Sequence, residues 1–507
     1  LSQLEQLEDV LPPGPRGLGQ AAGELLNAFA DVATDPQSLS ARQVLLGRAQ
    51  GLASRFNDAS GQINQLQAGV VSDVRATVQT VNALASQVAS LNQQIAHMRG
   101  TGHAPNDLLD QRDELISQIN DHIQVTTIAA DDGSIGLFVG GGQQLVLGNQ
   151  AATLAAVPDE YDRARVRLAI SDPGGTRKLP TSLLTGGSIA GLMRFQDQDL
   201  VAARNLVGQL SSAIAGAVNA QQALGLDLRV PAGTGEAMFV TGAPRVLASA
   251  GNQRLPSGDF AASVDIAISD PAQLQASDYE LRADPTNPGS YQLKRLSDGL
   301  TRSVTHGDTV DGLTISLSAP PPGVGDRYLL QPVATAAAGM RTVLTDAHDI
   351  AAASPFTANI GGSNTGSVSI ASVAMTDPGA DTSLTARIVF SDDSGAYDWE
   401  LLDAGANVVG SGSAQWHAGT PIAINGFELQ LDGVPRAGDS VEVEPTRFPA
   451  ANNGNALALL NLRDAALVGG GLGAAQTVTD AYAQAMADIG VRVQGARSAS
   501  EISTAVA

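Results

Sequence analysis

The sequence contains no cysteine in its 507 residues. This absence excludes disulfide bonds, thiolate zinc sites and cysteine nucleophiles. The folded chain must therefore be stabilised by packing and hydrogen bonds alone. A chain without cysteine also unfolds and refolds without redox assistance, a property that suits export through a narrow channel but is shared by many cytosolic proteins.

Long apolar runs are also missing. No stretch reaches the roughly eighteen consecutive apolar residues that a membrane-spanning helix needs. The first residues, Leu1 to Glu5, carry neither the basic nor the apolar segment of a cleavable Sec signal. We therefore expect no membrane partner. The sequence does not begin with Met, and we expect that segments of a longer protein are missing at both ends.

Positive charge is scarce. The chain has 29 basic and 51 acidic residues, which gives a net charge of −22. Nucleic acids and anionic membrane surfaces repel such a chain, so neither is expected as a partner. We favour solubility at high local concentration as the reason for the charge, over recognition of a specific cationic partner.

Motifs of known catalytic and cofactor sites are absent from the sequence. It has no Gly-x-Ser-x-Gly elbow, no P-loop and no dinucleotide-binding glycine motif after a strand. No two of its six histidines have the i, i+4 spacing of metal ligands. We therefore predict that the protein is not an enzyme and has no catalytic residues, metal or cofactor. A secreted sugar-binding adhesin or hydrolase remains a less favoured alternative, because aromatic residues make up only 4% of the chain.

Residue composition divides the chain into helical and β-rich regions. Residues 1–128, 180–235 and 450–507 have helical periodicity, and we predict that they form one helical bundle domain. Residues 129–179 are predicted to form a small β-hairpin region. Residues 236–335 and 336–449 are predicted to form two outer β domains. The expected fold class is α+β multidomain, with an elongated antiparallel bundle made from both chain ends and β-rich domains inserted into it.

Apolar residues recur every seven positions in two helical regions, a pattern typical of helices packed as in coiled coils. If the first of these helices is continuous from about residue 37 to 98, it is roughly 90 Å long. That length suits a rod-like bundle and exceeds a compact domain. The predicted seam residues of the bundle are Val74, Val81, Leu84, Val88, Leu91, Ile95, Leu200, Val207 and Ile214.

The β-rich middle contains an internal repeat. Similar segments begin at Gly289 and Gly395, and each is followed by a strand-like run that opens with glycine. Each copy then reaches a Gly-Asp turn, Gly325-Asp326 in the first and Gly438-Asp439 in the second. The matched order of these features predicts two related β domains in tandem.

A charged cluster, Asp110, Arg112, Asp113 and Glu114, lies on a predicted helix that begins near Asn106. The favoured interpretation is an exposed face with pairs of charges within the helix. The alternative is a positioning contact between helices of the bundle or between subunits.

Several of these segments together resemble the FlgK family of flagellar hook-associated proteins, the first junction proteins between hook and filament. The resemblance is carried by residues 29–38, 84–95, 105–113, 140–146, 278–281, 325–328 and 452–459. The most specific segment contains Asn106, Asp107, Leu108, Leu109, Asp110, Arg112 and Asp113. Gly454 departs from the basic residue that is usual in the family.

The resemblance implies a structural adaptor that joins hook to filament and polymerises through its helical domain and the missing terminal segments. The implied partners are the hook protein, the second junction protein and copies of the chain itself. An export chaperone would bind the missing C-terminal tail, and export would use the flagellar type III channel. The implied location is extracellular, at the hook-filament junction, and this fragment is expected to be monomeric. The alternative within the same system is the second junction protein or a flagellin-like subunit.

Overall fold

The computed structural model describes residues 1–100, 105–172, 174–287, 289–471, 473 and 475–506. The α-helices are α1 Ser2–Val10, α2 Leu18–Thr34, α3 Leu39–Gly100, α4 Asn106–His122, α5 Gly187–Arg194, α6 Leu200–Ala223, α7 Gly454–Asn461 and α8 Val478–Val506. A π-helical turn at Phe195–Asp199 joins α5 to α6. Short 3-10 turns lie at Gly14–Arg16, Thr181–Leu183, Pro271–Gln273, Ala347–Asp349 and Pro449–Ala451.

Helix α3 is the axis of the helical domain. It has 62 residues, which corresponds to a length of roughly 93 Å at 1.5 Å per residue. Helices α2, α4 and α6 pack against it. An isolated helix of this composition would be marginal in water, so its stability comes from the apolar side chains it buries against these neighbours.

The two ends of the chain meet in one bundle. Helix α7 packs against α2 and α6, and α8 packs against α1, α2 and α6. Arg497 Nε donates to Glu5 Oε1 at 3.0 Å, and the Tyr482 hydroxyl donates to the Pro12 carbonyl at 2.8 Å. These two contacts make α1 and α8 antiparallel. The predicted α+β multidomain fold, with a bundle made from both chain ends, is confirmed.

The buried stripe of α3 differs from the predicted seam on one side. The residues Val74, Val81, Val88 and Ile95 are all buried. Leu84 is also buried in the core, and Val78, Ala85 and Asn92 are buried beside it, whereas Leu91 is only partly buried. The reason is that α3 contacts α4 and also the small sheets of residues 126–178, instead of a single helical partner.

Helix α6 is buried on more faces than a seam requires. Leu200, Val207 and Ile214 are buried as the spacing suggests, and so is every residue from Val207 to Ala215. Helices α3, α7 and α8 and the turn at Pro271–Gln273 all contact it. Position 208 is accordingly glycine, because a Cβ there would lie 1.9 Å from the Val333 carbonyl oxygen.

Residues 126–178 form two small antiparallel sheets. Their strands are β1 Thr126–Ala129, β2 Ile135–Val139, β3 Gln143–Leu147, β4 Gln150–Ala151, β5 Thr153–Pro158, β6 Val166–Asp172 and β7 Gly175–Lys178. The first sheet has the strand order β1-β2-β3-β4, and the second has the order β5-β6-β7. The turn between β2 and β3 contains Gly140 to Gly142, whose φ angles of 50°, 79° and 100° favour glycine.

These small sheets do not form a separate unit, contrary to the division at 129–179. Leu137, Leu145, Leu154 and Leu168 belong to the same continuous apolar core as the helices. The helical domain is therefore a helical bundle with two small sheets packed along α3.

Two β domains are inserted between α6 and α7. The strands of the first are β9 Arg245–Ala248, β10 Val264–Ile268, β11 Tyr279–Ala283, β12 Tyr291–Arg295, β13 Thr301–Val304, β14 Thr309–Val310, β15 Leu313–Leu317 and β16 Arg327–Gln331. The strands of the second are β18 Phe356–Ile360, β19 Ser369–Met375, β20 Thr385–Phe390, β21 Ala396–Leu402, β22 Val408–Gln415, β23 Ile422–Ile424, β24 Phe427–Asp432 and β25 Ser440–Pro445. Two further short strands, β8 Phe239–Val240 and β17 Arg341–Thr342, pair with each other beside the bundle.

The two β domains share one topology. The five-stranded sheet of the first has the order β13-β12-β11-β16-β9, and that of the second has the order β22-β21-β20-β25-β18. Their three-stranded sheets have the orders β10-β15-β14 and β19-β24-β23. Each pair of sheets encloses its own apolar core. The strands correspond one to one, as expected of related domains.

The boundary between the β domains differs from the predicted position at residue 336. Met340, Leu344, Ile350 and Ala352 pack in the core of the helical domain. The second β domain begins with Phe356, the first residue of β18. The chain thus returns to the bundle between the two insertions, because each β sandwich closes on its own strands.

An asparagine and an aspartate clamp the same loop in both β domains. In the first, Asn252 exchanges hydrogen bonds of 2.8 and 2.9 Å with the backbone of Arg327, and Asp326 accepts from Gln253 N at 2.8 Å. In the second, Asn364 exchanges hydrogen bonds of 2.8 and 2.9 Å with the backbone of Ser440. Asp439 there accepts from Thr365 N at 2.7 Å and from Arg436 N at 2.8 Å. The Gly-Asp pairs found in the sequence are therefore parts of a repeated polar clamp.

The clamp makes the stability of the second β domain depend on pH. Burial raises the pKa of Asp439, but the N–H groups of Thr365, Arg436 and Gly366 donate to its carboxylate and hold the pKa below its ordinary value. A depressed pKa adds stability above the unfolded value, about 3.9, and this contribution disappears as the pH falls through the folded pKa.

We predict that Asp439→Asn destabilises this domain at pH 7 by about 1–3 kcal/mol, because the amide cannot accept all these hydrogen bonds. The difference from the wild type should shrink below about pH 4, where the native carboxylate is protonated. Both tryptophans, Trp399 and Trp416, lie in this domain, so urea unfolding followed by tryptophan fluorescence from pH 3 to 8 checks it. Asp432→Asn, at an exposed position, is the matched control; an equal loss at every pH would contradict the prediction.

Candidate assembly site

A cleft of about 1660 Å³ opens where the chain ends, the small sheets and the first β domain meet. We call it the junction cleft. The N-terminal segment contributes Leu1 and, on α1, Leu4, and α8 contributes Arg492 and Ala496. The opposite wall consists of the loop between β5 and β6, the π-helical turn and residues 276–278 of the first β domain.

Ion pairs fix the floor of the junction cleft. Asp197, on the π-helical turn, pairs with Arg165 and with Arg167, and Arg167 Nε also donates to Asp159 at 2.7 Å. Burial raises the pKa of Asp159, but the N–H groups of Tyr161 and Asp162 and the Arg167 guanidinium lower it more. The Asp159 carboxylate is therefore charged at neutral pH, and the ion pairs of Arg167 join the turn to strand β6.

The loop between β5 and β6 docks on the first β domain. Glu160 pairs with Arg327 at 2.7 Å, and the Tyr161 hydroxyl donates to Glu280 Oε1 at 2.7 Å. Burial, and then the neighbouring Glu280 carboxylate, raise the pKa of Tyr161 above its usual range. The Tyr161 hydroxyl therefore stays protonated and remains a donor across this boundary at neutral pH.

Helix α6 holds the other side of the same β domain. Arg204 pairs with Asp278 at 2.6 Å, and Gln331 donates to the same carboxylate at 3.0 Å. Gln209 donates to the Leu274 carbonyl at 2.6 Å. Buried hydrogen-bonded pairs of this kind are expensive to break one partner at a time, so they fix the orientation of the domain on the bundle.

Two asparagines of α3 bind backbone groups of the small sheets. Asn82 Nδ2 donates to the Leu154 carbonyl, and Leu154 N donates to Asn82 Oδ1, both at 2.8 Å. Asn92 Nδ2 donates to the carbonyls of Ile135 and Gly148 at 2.8 and 2.9 Å, and Ile135 N donates to Asn92 Oδ1 at 3.0 Å. Asn82 lies beside the edge strand β5, and Asn92 bonds residues at the start of β2 and after the end of β3, beyond the pairing of those two strands. Both amides satisfy buried backbone groups that strand pairing leaves without a partner.

Gln196, on the π-helical turn, also bonds strand backbone through its side-chain amide. Gln196 is fully buried, and it accepts from Val166 N and donates to the Val166 carbonyl, both at 3.1 Å. Gln67, on α3, donates to Gln196 Oε1 at 3.0 Å. The local π-helical geometry thus points an amide at the start of β6 and links that strand to α3. Such π-bulges recur at functional sites in proteins.

The segment that carries the family motif forms the first turns of α4, and its arginine is buried. Arg112 Nη1 donates to the Gly133 carbonyl at 2.8 Å, and Arg99 packs on Gly133 from the other side. Burial lowers the pKa of Arg112, and the nearby Asp113 partly offsets this effect. The favoured interpretation of an exposed face is therefore wrong for Arg112, which positions the turn between β1 and β2. The motif residues Asn106, Asp107, Asp110 and Asp113 are exposed, and Leu108 and Leu109 are partly buried.

A second buried arginine anchors the start of α3. Arg42 is 1% exposed, and it donates to the carbonyls of Pro36 at 2.8 Å and Ile350 at 2.5 Å. Burial lowers the pKa of Arg42 to about 10, and Asp227 partly offsets the shift. The guanidinium stays charged at neutral pH and ties α3 to the segment between the two β domains.

These contacts hold the structural elements in fixed positions relative to one another. Among the residues that the structure describes, no group of three or more His, Cys, Asp or Glu side chains is placed to hold a metal ion. None of the described helices is both long enough and apolar enough to cross a membrane. The fold and the junction cleft together define a class of elongated helical proteins that carry inserted β sandwiches, with buried polar side chains that fix the domains.

Comparison with known proteins identifies the family. Residues 4–239 match the model of the flagellar hook-associated protein FlgK helical domain, and residues 256–332 match that of the flagellar hook-associated protein 1 D2-like domain. The chain belongs to the FlgK family of flagellar hook-associated proteins, which confirms the resemblance seen in the sequence.

Individual relatives agree with this assignment. Flagellar hook-associated protein 1 of Escherichia coli (strain K12) is 33% identical over 359 residues, which cover 69% of this chain. The protein of the same name from Salmonella typhimurium is 32% identical over 363 residues. In both comparisons the chain spans 63% of the length of the relative. The structure of the flagellar hook junction protein FlgK from Burkholderia pseudomallei matches the whole chain and 95% of that protein, with a TM-score of 0.83 at 28% identity.

The structure brings only some of the predicted site residues together. Val88 on α3 and Arg112 on α4 lie near the small sheets. Leu200, the first residue of α6, directly follows the π-helical turn beside the junction cleft. Sequence reasoning missed Asn82, Asn92, Gln196 and Arg42. The only sequence signal for Asn92 is its spacing of seven from Ala85 and of four from Val88, which places a polar residue on the buried stripe.

We predict that Asn92→Leu destabilises the helical domain by about 2–3 kcal/mol, although it adds an apolar residue to α3, because it leaves Ile135 N and two carbonyls without partners. Gln93→Leu, at the next and exposed position, should change stability by less than about 0.5 kcal/mol. Urea unfolding followed by far-ultraviolet circular dichroism compares the two variants. Equal stability of Asn92→Leu and the wild type would show that the amide does not hold the sheet.

Proposed function

We propose that this chain is the core of a structural adaptor that joins the flagellar hook to the filament and catalyses no reaction. The helical domain would form the contacts along the axis of the flagellum, and the two β domains would be carried beside it. The proposal includes an extracellular location at the hook-filament junction. It also includes the hook protein, the second junction protein and copies of the chain itself as partners.

The observation that carries this proposal is the pairing of the two chain ends in one antiparallel bundle. Glu5 and Arg497 lie 492 positions apart in the sequence and form an ion pair at 3.0 Å. Arg492 pairs with Asp199 at 2.9 Å, which ties α8 to the π-helical turn. One end of the helical domain therefore presents both termini together, an arrangement that suits continuous contacts with subunits above and below.

The buried polar contacts support an adaptor that transmits force. Buried amides and ion pairs cost stability when one partner is removed, but intact they fix one arrangement of packed elements. The first β domain is held at two places, by Glu160 and Tyr161 of the β5–β6 loop and by Arg204 of α6. A junction between two rotating tubes needs such a rigid subunit.

Part of the family motif would serve contacts outside the chain. Arg112 is used internally, whereas Asp107 and Asp110 are exposed on α4. We include these two carboxylates in the proposal as contacts with a neighbouring axial subunit. An export chaperone that binds a C-terminal tail beyond this sequence is also part of the proposal.

Immunogold electron microscopy tests this function most directly. An antibody raised against the purified chain should label intact cells of the source bacterium at one point between hook and filament. A strain that lacks the gene is the control for antibody specificity, and it should lose the label. Label along the whole filament would indicate a flagellin-like subunit. Label on the cell body or in the medium would contradict a flagellar role and favour an adhesin or hydrolase.

A further inference from the structure

The two β domains share one topology but are attached to the helical domain in different ways. Each has an Asp-Pro turn after the first strand of its three-stranded sheet, Asp270-Pro271 in the first domain and Asp377-Pro378 in the second. In each copy, two successive N–H groups at the start of the turn donate to one carbonyl. That carbonyl belongs to Gly312 in the first domain, at 2.8 and 3.2 Å, and to Gly426 in the second, at 2.8 and 3.1 Å. The turns are therefore equivalent, and their surroundings can be compared directly.

In the first β domain this turn is docked on the helical domain. Pro271 packs on α6 at Gly216, where a Cβ would lie 2.5 Å from the proline Cγ. The Ala272 carbonyl accepts from Gly470 N at 3.0 Å, in the loop between α7 and α8. Ion pairs from the β5–β6 loop and from α6 add to these contacts. Three separate elements of the helical domain therefore hold the first β domain in one orientation.

The equivalent turn of the second β domain is exposed at Asp377, Pro378 and Gly379. Among the residues that the structure describes, no ion pair joins strands β18 to β25 to the helical domain, and Glu444 pairs only with the adjacent Arg447. Leu224, at the end of α6, packs against the core of this domain, and α7 lies against β19. Apolar packing is non-directional, so it restricts the orientation of a domain less than hydrogen-bonded ion pairs do.

Two short chain segments connect the second β domain to the helical domain, residues 354–355 and 446–452, and we call them the neck. On the side of the helical domain, Ala353 forms a bridge with Leu226, and Asn453 Nδ2 donates to the Ala33 carbonyl at 2.7 Å. On the other side, β18 and β25 begin and end beside each other in their sheet. The neck is therefore the chain between two units that are each fixed internally.

Asn452 connects all the parts that meet at the neck. Its Oδ1 accepts from Ser354 N at 2.8 Å and from Gly454 N, in the first turn of α7, at 2.9 Å. Its Nδ2 donates to Thr357 Oγ1 in β18 at 3.2 Å. The Thr446 hydroxyl closes the same network, because it donates to the Ser354 carbonyl at 2.8 Å. One amide thus bridges both segments of the neck, the second β domain and α7.

We propose that the second β domain is a hinged domain, which rotates about the neck relative to the helical domain while the first β domain stays fixed, and that Asn452 is the latch that limits this rotation. Domains joined without a large apolar interface move relative to one another by default. Hinge motions of this kind take microseconds to milliseconds. The hinge is a property of the chain itself and does not depend on the proposed flagellar function.

Because the chain has no cysteine, pairs of introduced cysteines carry nitroxide labels without background. Pulsed electron–electron double resonance in frozen solution then measures the distribution of distances between two labels. One label is placed at Ser54, on α3. The other is placed at Ser413 on β22 or at Thr301 on β13, which occupy the same place in the two β domains. All three positions are exposed.

We expect the distance distribution of Ser54→Cys/Ser413→Cys to be wider than that of Ser54→Cys/Thr301→Cys by about twofold or more. Gln111→Cys, at an exposed position of α4, replaces Ser54→Cys as a second reference. A rotation that leaves one distance unchanged is then detected in the other. Equal widths for the two β domains from both references would overturn the proposal.

Asn452→Ala tests the latch. We expect it to widen the distribution measured to Ser413→Cys and to leave that measured to Thr301→Cys unchanged. Asn407→Ala is the matched control and should change neither, because the Asn407 side chain bonds Asp403 in its own loop.

Far-ultraviolet circular dichroism and tryptophan fluorescence check that the variants are folded. If Asn452→Ala unfolds, Thr446→Val replaces it, since this change removes the hydroxyl that bonds Ser354. An unchanged width in the folded latch variant would overturn the assignment of the latch, and so would equal widening by Asn407→Ala.

Discussion

Buried backbone groups must have hydrogen-bond partners, and this constraint shapes the helical domain. Two short sheets are packed along α3, and the pairing of their strands leaves some backbone groups without a strand partner. Amide side chains of Asn82, Asn92 and Gln196 supply the missing partners. These bonds join the small sheets to α3 and to the π-helical turn, and Gln67 links the turn back to α3.

The sequence predicts the parts of the fold that repeat along the chain. Val74, Val81 and Val88 recur with the helical period because they face the same core for several turns. The tandem β domains were predicted because their tight turns require glycine at matching places. Gly312 and Gly426 have φ angles of 74° and 70°, and a Cβ at Gly312 would lie 2.1 Å from the Asp270 carbonyl oxygen.

The missed features depend on contacts between distant segments. Asn92 is polar, so the pattern of apolar residues does not predict that it is buried, although it is only 1% exposed. Arg112 was assigned to an exposed face because its sequence neighbours are acidic, and the turn that it holds lies 21 positions away. The sequence predicts that the second β domain begins at residue 336, whereas tertiary packing puts Met340, Leu344 and Ile350 in the helical core.

Native-state hydrogen exchange tests most directly whether amide side chains hold the small sheets to α3. The informative groups are the N–H groups of Leu154, Ile135 and Val166, which donate to Asn82, Asn92 and Gln196. If these bonds hold the sheets, the three amides should exchange only through global unfolding of the helical domain, as slowly as the buried core of α3. Exchange at the fast rate of locally opening segments, while the α3 core stays protected, would contradict this account.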